Sequence, residues 1–234
     1  MTHRATDLFR VQSLRWRQRL RRLRRPALLG TLRRTAPLSS RWGYDRGTPV
    51  DRFYIERFLE QHRNDIRGRV LEIKDSSYTD RFGTQVEARD VLDVDAANPS
   101  STIVADLAAA DIVPSDHFDC FVCTQTLGMI YDVRAAVGHA HRILRPGGVL
   151  LATLPALSRL DRRLPDYWRF TPASCNLLFG EVFGAANVAV ESHGNVLAAI
   201  ASMSGMAREE LSLREMETRD ERYPLVVTVR AVKR

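Results

Sequence analysis

Six histidines, and acids at the ends of apolar runs, are the groups in this 234-residue chain suited to moving a proton or gripping a polar ligand. A neutral nucleophile calls for a base beside it, because it attacks poorly until its proton is leaving. His193, in "ESHGN", falls where a strand should end, and Gly194 permits a turn, so His193 is the first candidate for that base. Asp166, in the long segment "PALSRLDRRLPDYWRF", is the second. The other histidines read as structural. His3 and His62 belong to the leader and to a helix end, and His117 precedes a strand. His139 and His141 sit seven and nine residues past Asp132 on one helix, about 10–14 Å down its axis. Cys120 and Cys123 form C-x-x-C, but residues three apart on a strand point to opposite faces, so both are expected as core thiols.

A loop is the second chemical feature. In "GRVLEIKDSSYTDRFG" (68–83) an apolar run carries Glu72 into a polar turn, as at the opening of a nucleotide-cofactor fold. Glycine serves in such loops where φ must be positive or where backbone must approach a ligand. Here Lys74, Ser76 and Tyr78 stand at the alternate positions instead.

The elements that must position these residues follow from periodicity. Strands are predicted over 69–73, 84–92, 101–107, 118–127, 149–155, 187–192 and 223–234. Helices are predicted over 132–144, 171–183 and around 196–212. An earlier helix has Thr48 as cap, Pro49 at its first position and Asp51 in its first turn, with Phe53, Ile55, Phe58 and Leu59 facing a core. Alternating strands and helices imply an α/β three-layer sandwich with a mostly parallel, Rossmann-like sheet, whose last strand is an antiparallel insertion near the edge. Ligands bind such sheets beyond the carboxyl ends of the strands, at the topological switch point.

Taken together, "VLEIKDSSY", Asp90, "IVADL", "FDCFVCTQTL" and "HRILRPGGVLLATLP" resemble class I S-adenosylmethionine-dependent methyltransferases over about residues 41–234. Two shorter stretches, "DRGTPVDRFYIERFL" and "DYWRFTP", are similar to bacterial methyltransferases associated with polysaccharide biosynthesis, including mycobacterial sugar O-methyltransferases. The resemblance implies S-adenosylmethionine as methyl donor, S-adenosylhomocysteine as product and a sugar hydroxyl as acceptor. Glu72 is the acid of the first signature and counts among the cofactor residues, and relatives usually have glycines where Lys74, Ser76 and Tyr78 stand.

A carboxylate after the second strand accepts the ribose hydroxyls, and Asp90 lies 18 residues beyond Glu72, near the ~20 typical of nucleotide folds. Asp106 would take the adenine amino group, with the Leu107 backbone beside it. Asp75 would pair with the methionine ammonium and Lys74 or Arg46 with its carboxylate, while Ser76 or Ser77 donates hydrogen bonds. Thr124, Gln125 and Tyr131 would stand near the sulfonium. Tyr167 and Trp168 would stack on a sugar ring while Asp166 and Arg169 take its hydroxyls. The plainer reading of that segment is a lid packed on itself, with Phe170 as staple for the Thr171 cap. A magnesium ion held by carboxylates and substrate hydroxyls stays open.

Composition narrows the partners. No apolar run is long enough to span a bilayer, and three cysteines give no disulfide framework, which predicts a reducing cytoplasm. The net charge of +7 divides unevenly: residues 1–44 hold 12 arginines against one acid, Asp7. Residues 1–40 therefore read as a basic extension before a domain at 41–234. In that leader Phe9, Trp16, Leu20 and Leu23 recur at near-helical spacing, a pattern suited to anionic lipid or an acidic partner as well as to a plain solvated extension. Its apolar stretch at Ala27–Gly30 is shorter than the ~7–15 residues of an export signal. Nucleic-acid binding has charge in its favour but no accompanying motif. Two alternatives compete with the enzyme reading: an inactive methyltransferase-like partner in glycan assembly, and an RNA methyltransferase anchored by its leader. A homodimer is compatible with every reading.

Overall fold

The computed structural model describes Trp16, Leu20, Leu23 and residues 30–161 and 164–234. The chain divides into two units, Met1–Pro37 and Leu38–Arg234. In the first, Trp16, Leu20 and Leu23 are helical, with Trp16 and Leu23 exposed, and a 3-10 turn spans Gly30–Leu32. The rest of the expected amphipathic leader, Phe9 included, lies outside the described residues.

In the second unit the order is α1 (Val50–Gln61), β1 (Gly68–Ile73), α2 (Ser77–Phe82), β2 (Val86–Asp93), β3 (Ile103–Val104), β4 (Phe118–Thr124), α3 (Val133–Ile143), β5 (Leu144–Pro155), α4 (Pro172–Phe183), β6 (Val188–His193), α5 (Val196–Ser204), α6 (Leu213–Glu217) and β7 (Val226–Val232). The seven strands form one sheet in the order β3-β2-β1-β4-β5-β7-β6. Strands β1 to β5 pair in parallel, and β7 runs antiparallel to both β5 and β6. This is the expected α/β, Rossmann-like sandwich.

Both faces of the central strands are buried, which is why β4 and β5 read as continuous apolar runs. On one face Phe121, Leu150 and Leu154 meet Val137 and Ile143 of α3 and Phe179 of α4. On the other, Val70, Val122 and Leu151 meet Ile55 and Leu59 of α1 and Ala201 of α5. Cys120 belongs to the second cluster and Cys123 to the first, so the C-x-x-C straddles the sheet as a pair of core thiols. Among the described residues there is no group of ligands that could hold a metal ion, and no helix long and apolar enough to cross a membrane.

Local departures have identifiable causes. The two Thr-Pro signals behave differently. Thr171 accepts from the Ser174 amide in a capping box, with Pro172 opening α4. Thr48 caps nothing: its amide donates to Glu209 Oε2 at 2.9 Å, Pro49 bridges Ala207 in extended conformation, and α1 begins one residue later at Val50. Strand β3 is only two residues long, because Asp106 caps a 3-10 turn at Leu107–Ala109. Strand β5 begins at Leu144, where α3 ends, and runs through the Pro-Gly-Gly stretch, with Gly147 at φ +83. The 196–212 stretch resolves into α5 and a 3-10 turn at Arg208–Glu210, and α6 follows it.

Candidate functional site

The chain runs β1, β2, β3 in one direction across the sheet and then returns to place β4 on the other side of β1. In open α/β sheets such a reversal is where the loops beyond the carboxyl ends of the strands diverge and ligands bind, here beyond the tips of β1 and β4. The residues directly after the two strands share an unusual backbone. Lys74 has φ +74 and Gln125 has φ +53, left-handed conformations that cost a side-chain-bearing residue roughly 1–2 kcal/mol. Each is held by strand-end hydrogen bonds: the Lys74 amide donates to Leu92 O at 3.0 Å, and the Gln125 amide to Thr153 O at 2.7 Å. Asn98 Nδ2 also donates to the Lys74 carbonyl at 2.7 Å. Lys74 thus makes the turn a glycine would make, with its side chain exposed.

Glu72 closes this loop. Its carboxylate is 3% exposed and accepts from two amides at the start of α2, Tyr78 N at 3.1 Å and Thr79 N at 2.8 Å. Burial raises its carboxyl from 4.5 to about 7 against the pull of those amides. The other loop side chains serve the turn as well. Asp75 accepts from the Ser77 amide at 2.9 Å, and Ser76 Oγ donates to Asp80 at 3.0 Å. Tyr78 packs on the α1-side core and stacks on Phe82, with Arg52 donating to its hydroxyl.

Two expected cofactor residues, Asp90 and Arg46, are engaged elsewhere. Asp90 lies within β2 opposite Leu71, three residues short of the tip, and its carboxylate takes Arg69 Nε at 2.8 Å and Thr102 Oγ1 at 3.1 Å. The acid at the tip of β2 is Asp93, which accepts from Asn98 Nδ2 at 2.6 Å and the Asp95 amide at 3.1 Å. Asp93 is 21 residues after Glu72, as near the ~20-residue spacing as Asp90, so register and not spacing separates the two. Arg46 is paired with Glu210, Nε to Oε2 3.0 Å, at the 3-10 turn after α5. Asp106 stays exposed after β3, accepting from Ala108 N at 2.9 Å, with the Leu107 side chain buried in the core. Thr124 ends β4, and Gln125 Nε2 reaches Thr153 Oγ1 at 3.3 Å.

The segment after β5 folds over the segment after β4. The amides of Tyr167 and Trp168 both donate to Gly128 O, at 2.9 and 3.0 Å, and the indole of Trp168 donates to the carbonyls of Ile130 and Tyr131. A Cβ on Gly128 would stand 3.1 Å from the Trp168 carbonyl, so the small residue lets the two loops touch. The result is an exposed aromatic platform: Tyr131 lies edge-on to Tyr167 at 5.4 Å and tilted to Trp168 at 6.3 Å. Beneath it Arg169 Nη2 donates to Asp166 Oδ2 at 2.9 Å, and that guanidinium holds the Asp166 carboxyl below the usual range. Asp166 is therefore ionised and committed, an orienter of Arg169 and a weak base.

His193 does end a strand at the carboxyl edge, but β7 inserts between β5 and β6 and makes β6 the outermost strand. At ~4.8 Å per strand its backbone is roughly 14 Å from β4. The imidazole Nε2 lies 2.9 Å from Thr228 Oγ1, the ring stacks on Tyr54, and burial pushes its pKa down. It lines a separate cleft of about 190 Å³ with Tyr54, Arg57, Glu191 and Arg219. The structure thus gathers Tyr131, Tyr167, Trp168, Asp166 and Arg169 on one side of the switch point and leaves His193 and Arg46 elsewhere.

A family model described as a methyltransferase domain matches residues 35–182. No curated protein matches the chain. Among solved structures, the N-methyltransferase NodS of Bradyrhizobium japonicum WM9, in complex with S-adenosyl-l-homocysteine, aligns with TM-score 0.54 at 14% identity, over 86% of this chain and 94% of that one. A SAM-dependent methyltransferase of Archaeoglobus fulgidus aligns with TM-score 0.53 at 11% identity, over 78% of this chain and 94% of that one. One from Mesorhizobium loti gives 0.51 at 16% identity, over 82% and 100%. At these identities the structures share the fold.

Two outcomes follow from the loop geometry. Lys74→Gly relieves the left-handed strain and loosens the unfolded chain, a net gain of about 0.5–1 kcal/mol, read as a melting temperature about 1–3 °C higher. Glu72 binds its proton more tightly folded than unfolded. Its contribution is therefore fully present below pH 4.5 and is lost as pH rises to about 7. Urea unfolding should show a decline on the order of 2–3 kcal/mol across that window, which Glu72→Gln removes.

Proposed function

This chain belongs to the methyltransferase-domain family, which draws its methyl group from S-adenosylmethionine, and on that premise we propose that it methylates a hydroxyl of a sugar ring in a glycan or polysaccharide precursor. The donor set at the strand tips suits the cofactor. Asp93, at the tip of β2, is the carboxylate for the ribose diol, and Asp106, exposed after β3, the acceptor for the adenine amino group. Asp75 serves the ammonium and the exposed Lys74 the carboxylate, with Ser76 and Ser77 in the same turn and Thr124 and Gln125 at the tip of β4. When bound, the cofactor supplies an electrophilic methyl group on a sulfonium.

The observation that carries the acceptor class is the aromatic platform of Tyr131, Tyr167 and Trp168 beside an oriented arginine. A sugar offers an apolar C–H face to stack on rings and a rim of hydroxyls to accept from a guanidinium. Asp166 fixes Arg169, and Arg169 fixes the ring. The two expected bases are not free at this platform, one being paired and the other across the sheet, so the rate comes from holding the hydroxyl in line with the methyl group. The released proton passes to solvent. The planar rings also suit other flat acceptors, which makes the hydroxyl-bearing rim the discriminating feature.

The test is transfer of labelled methyl groups to a panel of glycosides and amines. Trp168→Ala should raise the KM of the glycoside acceptor about tenfold while the KM of the methyl donor stays within about twofold. His193→Ala should leave kcat within about twofold. Methylation of amines with none of glycosides would contradict the acceptor class, and collapse of kcat in His193→Ala would restore that histidine to the reaction.

A further inference from the structure

Helix α5 is apolar all round yet lies at the surface. Its nine residues, VLAAIASMS, carry no charge, and Ala198, Ala199 and Ala201 are buried on its inner face. On the outer face Val196, Ile200 and Met203 recur at i, i+4 and i+7, and they are 51%, 40% and 41% exposed. A helix of this composition belongs inside a protein or against another apolar phase.

The same helix is where the chain joins the domain. The Leu38 amide donates to the carbonyl of Ser204, the last residue of α5, at 2.7 Å. Gly205, at φ +72, lets the backbone of Ser39 come so near that a Cβ there would stand 2.5 Å from the Ser39 carbonyl oxygen. The 37 residues preceding this junction hold eleven arginines and one acid, Asp7. Covalent continuity therefore ties a strongly cationic sequence to the end of an apolar face that is exposed among the described residues.

We propose that the outer face of α5 docks on an anionic lipid bilayer, with the arginine-rich leader as the second attachment. Neither half holds in salt by itself: three partly exposed apolar side chains bury little area, and a polybasic segment is held only by a surface potential that salt screens. Stable peripheral attachment takes two signals together, and apolar insertion beside a basic cluster is one such pair. An anionic bilayer is the partner that offers both an apolar phase and a dense negative surface. The inference does not depend on the acceptor proposed for the active site.

Full-length protein is sedimented with phosphatidylcholine vesicles and with vesicles that also contain phosphatidylglycerol. Binding is expected to the second kind only and to weaken with salt. Ile200→Asp with Met203→Asp should lower the partition constant about tenfold, and deletion of residues 1–37, which removes eleven arginines, at least a hundredfold. Far-UV circular dichroism establishes that the variants fold, and Ile200→Gln with Met203→Gln serves if the charged pair does not. Failure of the intact protein to bind anionic vesicles overturns the proposal. So does full binding by both double variants, which would leave the leader acting alone. A dimer in solution that the same substitutions dissociate would show a second copy covering the face, and would overturn it too.

Discussion

The carboxylate of Glu72, buried at the end of β1 and accepting from the amides of Tyr78 and Thr79, is the contact on which the candidate site depends. It closes a turn that passes over the strand tip without glycine at any of its alternate positions. Both amides belong to the first turn of α2, whose N–H groups have no helical partner, so one side chain satisfies two donors that a buried loop could not leave bare. Burial works against the charge of that carboxylate, and the two amides work for it. The balance leaves its carboxyl near neutrality, at about 7. With Glu72 in place, Asp75, Ser76 and Asp80 bond within the loop, and Tyr78 swings into the core toward Arg52.

Of the five described non-glycine residues with positive φ, two, Lys74 and Gln125, stand at the tips of adjacent strands where the order of the sheet reverses between β1 and β4. Strained backbone that the surroundings over-determine is characteristic of ligand sites. Around that point the strand ends supply carboxylates on the β2 and β3 side and an aromatic platform on the β4 and β5 side. One half suits a nucleoside with a charged tail, the other a flat, hydroxyl-rimmed acceptor. The division follows from topology: β1 to β3 contribute short polar turns, whereas the long segment after β5 folds back over Gly128.

Much of this was legible before any coordinates. Apolar runs with two-residue and 3.6-residue periods located the strands and helices, although β5 starts at Leu144, ahead of the expected 149. Register was not legible. Asp90 and Asp93 both lie near the expected spacing from Glu72, and only the parallel pairing of Leu71 with Asp90 shows which acid reaches the tip. Spatial order was not legible either. His193 ends its strand as expected, but the insertion of β7 carries that strand to the edge, a non-local event with no local signal. Nor could sequence show that Arg46 would be taken by Glu210, because pairing between charges so far apart in the chain depends on which loops meet, whereas Asp166 and Arg169 pair locally, three residues apart. The equal-looking Thr-Pro signals make the same point: Thr171 caps its helix, while Thr48 is drawn into a bridge with the segment around Ala207.

The central claim is that a turn closed by a glutamate leaves a working nucleoside crevice at the tips of β1, β2 and β4. Isothermal titration of S-adenosylhomocysteine into the full-length protein tests it most directly. The account predicts saturable, single-site heat below millimolar ligand that Asp93→Asn weakens strongly and Asp90→Asn does not. Absence of heat at millimolar ligand, with the protein folded, would contradict it.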